Sequence, residues 1–161
     1  MDSGTERATA PGCPLGPEPV VFFDGTCGLC HRSVAFLLDR DRDGQLRFAH
    51  LQGGLAARLL APEMRDIGPD GSVVLFEPAA GGRVSRRSEA VLRALAHLPP
   101  PWRWLGALAT IRPFLPLADV AYRFVVHRRA AWFGRGDQCA LPDARLRARF
   151  LEASLPDDQP A

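Results

Sequence analysis

The 161 residues carry 20 basic and 18 acidic side chains, a net charge of +2, with 47% apolar residues. That length suits one domain with at most an appendage, and that apolar share fills one core. So small a net charge does not mark a binder of polyanions, and 4 cysteines are too few for a disulfide scaffold. Every basic side chain is an arginine, and the distribution is uneven: residues 1–98 hold 11 Arg against 12 acids, whereas residues 99–151 hold 9 Arg against 3. The bland reading of that second part is a solvated, arginine-rich helical surface.

Residues 1–18 are rich in Gly, Pro, Ser and Thr and are expected to form a disordered tail. They lack the basic start and apolar centre of a signal peptide, so a cytoplasmic, reducing compartment is expected. Cys13, between Gly12 and Pro14, reads as a stray thiol. Val20–Phe23 is a short apolar run, as in a strand covered on both faces. Asp24-Gly25-Thr26 is turn chemistry, and Thr26 can cap a helix beginning at Cys27 and ending near Arg40.

The stretch therefore reads strand, turn, Cys27-x-x-Cys30, helix, which is the thioredoxin-type redox placement. Residues three apart share a helix face, with Cβ atoms roughly 5–6 Å apart. A disulfide needs about 3.5–4.5 Å, a small adjustment in a first turn. A cysteine at a helix start meets unpaired N–H groups and the positive end of the dipole, which favour the thiolate. Cys27 is the expected nucleophile and Cys30 the resolving thiol. The Gly28-Leu29 pair between them leaves Cys27 accessible. Asp24 is a candidate for moving the proton between the thiols, or else a turn aspartate. His31 either stabilises the thiolate when protonated or is an exposed first-turn residue.

Beyond the helix, Leu46–Ala49 alternates as a second strand, and Gln52–Leu60 has helical leucine spacing ended by Pro62. Ser72–Phe76 is a clear strand, and Gly81-Gly82 turns the chain into a hairpin partner at Arg83–Ser85. Ser88 is expected to cap a helix presenting Val91, Leu92, Leu95 and Leu98. The order β-α-β-α-β-β-α predicts an α/β, thioredoxin-like, four-stranded sheet of two parallel crossover units and a hairpin, flanked by helices, over residues 19–98. Thioredoxin-like enzymes place a cis-proline just before the third strand; here Gly71 stands there, and Pro69 comes two residues early.

Pro99-Pro100-Pro101 breaks the chain. Residues 99–151 are expected to form a helical extension packed on the domain, with a long helix over Leu117–Arg129 and a short basic one over Pro142–Leu151. Trp102, Trp104, Tyr122 and Trp132 are expected to dock it on the sheet. Arg112, Asp119, Arg123 and the prolines interrupt the apolar span and exclude a transmembrane helix, while an interfacial helix stays open. Residues 152–161 are an acidic tail.

With these residues in place, the chain resembles the DCC family of thiol-disulfide oxidoreductases from Val20 to Leu151. The resemblance rests on Asp24-Gly25-x-Cys27-x-x-Cys30 after an apolar strand, and on Ser88-Glu89-Ala90. It extends to Asp119-Val120-Ala121-Tyr122-Arg123 through His127-Arg128-Arg129, with Phe133-Gly134 and Cys139. The family's usual Asn-Arg pair is His127-Arg128 here. The resemblance implies a thioredoxin-like fold and disulfide exchange without a cofactor. The expected partners are a disulfide-containing protein or low-molecular-weight thiol and an electron donor, with no nucleic acid. A weak contact of the basic extension with a membrane surface is left open. Cys139 reads as a third redox thiol, a metal ligand or a packing cysteine. The alternative function is a non-catalytic metal-binding or interaction module using Cys27, Cys30 and Cys139, for which the scattered His31, His50 and His127 supply no paired spacing.

Overall fold

A computed structural model describes residues 16–25, 28–65, 73–108, 111–133 and 149–151. The expectations for residues 1–15 and 152–161, for Thr26, Cys27, Pro69, Gly71 and Cys139, and for the side chain of Trp132 lie outside the described residues, while Glu18, at the end of the expected N-terminal tail, pairs with Arg47 at 3.4 Å.

The first strand, β1 (Val20–Phe23), is buried at every position, as its unbroken apolar run requires. It leads through the Asp24-Gly25 turn to α1 (Gly28–Arg40) and then to β2 (Arg47–His50). A short α2 (Gly54–Leu59) follows, and Pro62 begins a further turn, α3 (Pro62–Arg65), rather than only ending what precedes it. Proline suits that place because a first-turn N–H has no helical partner. Then come β3 (Val73–Glu77) and β4 (Arg83–Arg86), joined through Gly81 and Gly82, both in the left-handed region at φ 73° and 76°.

The sheet order is β2-β1-β3-β4. β1 pairs parallel with β2, placing Phe23 beside His50, whereas β3 runs antiparallel to β1 and β4 antiparallel to β3. Only the first crossover unit is therefore parallel, a correction to the expected two. The chain between β2 and β3 brings β3 in on the far side of β1 pointing the other way. This mixed sheet flanked by helices is a thioredoxin-like α/β fold.

Helices cover both faces. Cys30, Val34 and Leu37 of α1 meet Val21, Phe23, Phe48 and Leu75 on one side. Helix α4 (Arg87–Ala96) adds Ala90, Ala94 and Leu95 to that layer. On the other side Leu55 and Ala56 of α2 cover Val20, Phe22, Ala49, Val74 and Phe76. Helix α4 follows β4 without a loop, and Arg87 takes the turn at φ 55°. A left-handed non-glycine residue there is the strained step that makes the direct strand-to-helix connection. Ser88 accordingly lies inside the first turn and does not cap it: its hydroxyl donates to Asp119 Oδ1 at 3.0 Å.

The chain then forms α5 (Trp102–Ala107) and, after a 3₁₀ turn at Arg112–Phe114, α6 (Leu115–Phe133). Both lie against α4, and α6 also reaches α1. Gly106 permits the α4–α5 approach, since a Cβ there would stand 2.3 Å from the Ala96 nitrogen. The aromatic docking differs in part from expectation. Trp102 packs against the core layer and meets Phe36 of α1 edge-on at 4.9 Å, but Trp104 is 71% exposed.

The end of the expected basic helix is also different. Residues 149–151 lie along the outer edge of β2: Phe48 N donates to Arg149 O at 3.1 Å, and Phe150 makes a parallel bridge to Phe48. The Arg149 guanidinium donates to Asp41 Oδ2 and to the Asp41 carbonyl, each at 2.9 Å. Asp41 also receives Gln45 N at 2.8 Å and Leu46 N at 2.9 Å, which fixes the turn from α1 into β2.

Candidate active site

The carboxyl end of β1 and the start of α1 face a common corner. Asp24, immediately after the strand, is 4% exposed. Gln52, just past β2, reaches across to it: Nε2 donates to Asp24 Oδ1 at 2.9 Å, while Oε1 receives the Gly25 N–H at 3.5 Å. One amide therefore ties both residues of the turn to the neighbouring strand. The parallel pairing of β1 and β2 makes this possible, because Phe23 and His50 are partners and both strands end at the same level.

Two histidines complete the corner. His31 Nε2 lies 2.8 Å from the Gly25 carbonyl oxygen. A carbonyl only accepts, so Nε2 carries the proton in this contact. The His31 ring also meets Phe23 edge-on at 5.9 Å. His31 is thus half-buried and engaged with the turn, not an exposed first-turn residue. The His50 ring lies 5.0 Å from Phe23 and 5.7 Å from Phe150. It also crowds position 25: a Cβ there would stand 3.0 Å from His50 Cδ2, so the imidazole would have to give by a few tenths of an ångström. A glycine lets the turn approach the imidazole this closely.

Cys30, in the first turn of α1, is 6% exposed and packed with the core. Cys27 precedes α1 by one residue in sequence and lies outside the described residues. Of the three expected site residues, the structure thus brings Asp24 and Cys30 to the β1–α1 junction. It adds Gln52, His50 and Phe150, which sequence reasoning left out of the site. Gln52 had no signal, being a single polar residue after a strand; His50 was one of several scattered histidines.

A cavity of about 740 Å³ opens beside this corner, between α1, α4, α5 and α6. Cys30 and Leu29 form part of its wall, with Leu95, Trp102, Tyr122 and Val125 opposite. Its lining is almost wholly apolar, and its volume is that of an ordinary small-ligand or side-chain pocket. Among the described residues no three His, Cys, Asp or Glu side chains group as metal ligands, and no helix is long and apolar enough to cross a membrane.

A four-stranded mixed sheet flanked by helices, with a helical C-terminal region, is the thioredoxin-like α/β class of fold. Comparison with known proteins gives the family directly. The model of the DCC1-like thiol-disulfide oxidoreductases matches residues 21–135, and the chain belongs to that family. The uncharacterised protein YuxK of Bacillus subtilis is 33% identical over 135 residues, covering 84% of this chain and 95% of its own length. A DCC family protein of Arabidopsis thaliana, described as chloroplastic, is 36% identical over 124 residues, 77% of this chain and 70% of its own. No solved structure matches the chain.

Proposed function

We propose that this protein is a dithiol–disulfide oxidoreductase in which Cys27 and Cys30 exchange and no organic cofactor takes part. The observation that carries the reading is the burial of Cys30 in the first turn of α1, with the buried Asp24 at the end of the strand that precedes that helix. In the reducing direction the Cys27 thiolate attacks one sulfur of a substrate disulfide. The substrate S–S bond breaks, a mixed disulfide forms, and the other sulfur leaves as a thiolate that takes up a proton. The Cys30 thiolate then attacks the Cys27 sulfur, closing the internal disulfide and releasing the second substrate thiol. The pair loses the two electrons that the substrate gains, and a thiol or dithiol donor restores it.

Cys30 must lose its proton for the second attack. We assign Asp24 as the carboxylate that receives it, held for that role by the Gln52 amide. The apolar cavity beside Cys30 favours a protein disulfide flanked by apolar side chains, or a low-molecular-weight disulfide with an apolar body. The few cysteines suit a reducing compartment such as the cytoplasm.

The test is insulin reduction with dithiothreitol as donor. Wild type should accelerate it, Cys27→Ser should abolish the acceleration, and Cys30→Ser should accumulate a mixed disulfide at Cys27. Wild type no faster than Cys27→Ser would sink the proposal, and stoichiometric zinc in the purified protein would favour a metal module instead.

A further inference from the structure

Helix α6 is apolar on both sides, which a surface helix of a globular domain ordinarily is not. Its inner side is turned to the domain: Ala118, Tyr122, Val125 and Val126 face the cavity, and Asp119 accepts the Ser88 hydroxyl. Its outer side is turned to solvent. Leu117 and Val120 are each 64% exposed and Phe124 55%. Their spacing of three and four places them in one line along the helix. Every exposed large hydrophobic side chain among the described residues lies in this part of the chain, the others being Trp104, Leu105 and Ile111. Monomeric proteins rarely leave such a cluster uncovered.

The charge around the cluster says what covers it. Arg103 stands beside Trp104, and Arg123, His127 and Arg128 are exposed on α6, with the Arg128 guanidinium 5.2 Å from the Phe124 ring centre. The sole acid between residues 99 and 133 is Asp119, and its side chain is turned inward to Ser88. Among the described residues of α5 and α6, the outer face is therefore apolar and cationic, with no acidic side chain of its own. That is the complement of an anionic lipid surface: arginines meet head groups while leucine, phenylalanine and tryptophan enter the acyl boundary.

We infer that the outer faces of α5 and α6 dock this protein on anionic membrane surfaces, as a peripheral contact without a spanning helix. Leu105 belongs both to the exposed cluster and to the cavity wall, so docking brings the cavity beside Cys30 next to the lipid.

The full chain should sediment with vesicles of phosphatidylcholine containing phosphatidylglycerol, and far less with phosphatidylcholine alone. Raising the salt should weaken the contact without abolishing it. Arg103→Gln and Arg128→Gln should each lower the partition about fivefold, the usual contribution of one basic residue at such a surface. With Trp102→Phe and Trp132→Phe, the remaining Trp104 emission should shift to the blue on vesicle addition. The combined Leu117→Gln, Val120→Gln, Phe124→Gln variant changes only exposed positions and should keep its melting curve while losing the vesicles.

No sedimentation with anionic vesicles at low salt would overturn the inference. So would partition that survives the triple variant but vanishes in salt, which would show a contact by charge alone. A dimer in wild type that becomes a monomer in the triple variant would give the face to a second copy of the chain instead. Insulin reduction by the triple variant in solution stays a separate readout, so failure of docking and failure of the redox reading are distinguishable.

Discussion

Replacing Asp41 should destabilise the protein more than any other single surface-turn change, and the structure supplies the magnitude. Its carboxylate is 1% exposed and accepts Gln45 N, Leu46 N and Arg149 Nη1 at 2.8–2.9 Å. Asp41→Ala leaves the buried Leu46 N–H without an acceptor, at about 1–3 kcal/mol. The half-exposed Gln45 N–H and the guanidinium regain water and add roughly 1 kcal/mol each, for a total of about 3–5 kcal/mol. Arg149→Ala removes one partner and leaves Asp41 with both backbone donors, so it should cost about 1–2 kcal/mol. Urea unfolding followed by circular dichroism measures both, and the double variant should show coupling of about 1 kcal/mol. At roughly 2–4 °C per kcal/mol for a chain of this size, Asp41→Ala should melt about 10 °C lower. Arg149 also carries Phe150 onto His50 and Phe23, so the Arg149→Ala variant should make His50 more reactive to ethoxycarbonylation by diethyl pyrocarbonate. Equal costs for the two replacements, or a cost below about 1 kcal/mol for Asp41→Ala, would refute the reasoning.

Gly106→Ala should cost at least about 1–3 kcal/mol, because the new Cβ would stand 2.3 Å and 2.5 Å from the Ala96 N and Cα, which are backbone and cannot swing aside; thermal melting checks it. Ser88→Ala breaks the tie to Asp119 and should cost about 1 kcal/mol, read most sensitively as faster limited proteolysis within residues 111–133. Gln52→Ala should slow insulin reduction about tenfold while leaving the melting temperature nearly unchanged, since one hydrogen bond to a carboxylate is worth about 1.4 kcal/mol and Gln52 is exposed to water that can replace it in stability but not in position.

The elements legible in the sequence are those whose pattern is local. Val20–Phe23 reads as a strand covered on both faces, and it is one; the apolar positions of α1 recur at helical spacing and reach the core as Val34 and Leu37. The direction of β3 was not legible, because a strand's sense in a sheet depends on where its connection crosses and leaves no mark on the strand itself. Ser88 looked like a cap because serine before a helix ordinarily is one, but the left-handed Arg87 moves the helix start back one residue and frees the hydroxyl for Asp119. Asp24 and Cys30, singled out by turn chemistry and cysteine spacing, lie at the β1–α1 junction. Gln52 and Phe150 were not singled out, since they arrive from 28 residues downstream and from the far end of the chain, brought in by strand pairing alone. Trp104 reads from its type as a residue docking the extension on the sheet, yet it is exposed, and large aromatics belong equally to surfaces that meet a partner.

The central claim concerns the Cys27–Cys30 pair, and a redox titration of the full chain tests it most directly. The protein is equilibrated across mixtures of reduced and oxidised dithiothreitol, trapped with an alkylating reagent, and read by peptide mass spectrometry. The account predicts that the Cys27–Cys30 disulfide appears along a single two-electron curve, with Cys13 and Cys139 alkylated throughout. A pair that stays alkylated under every condition, or that forms disulfides to Cys13 or Cys139 in preference to each other, would contradict it.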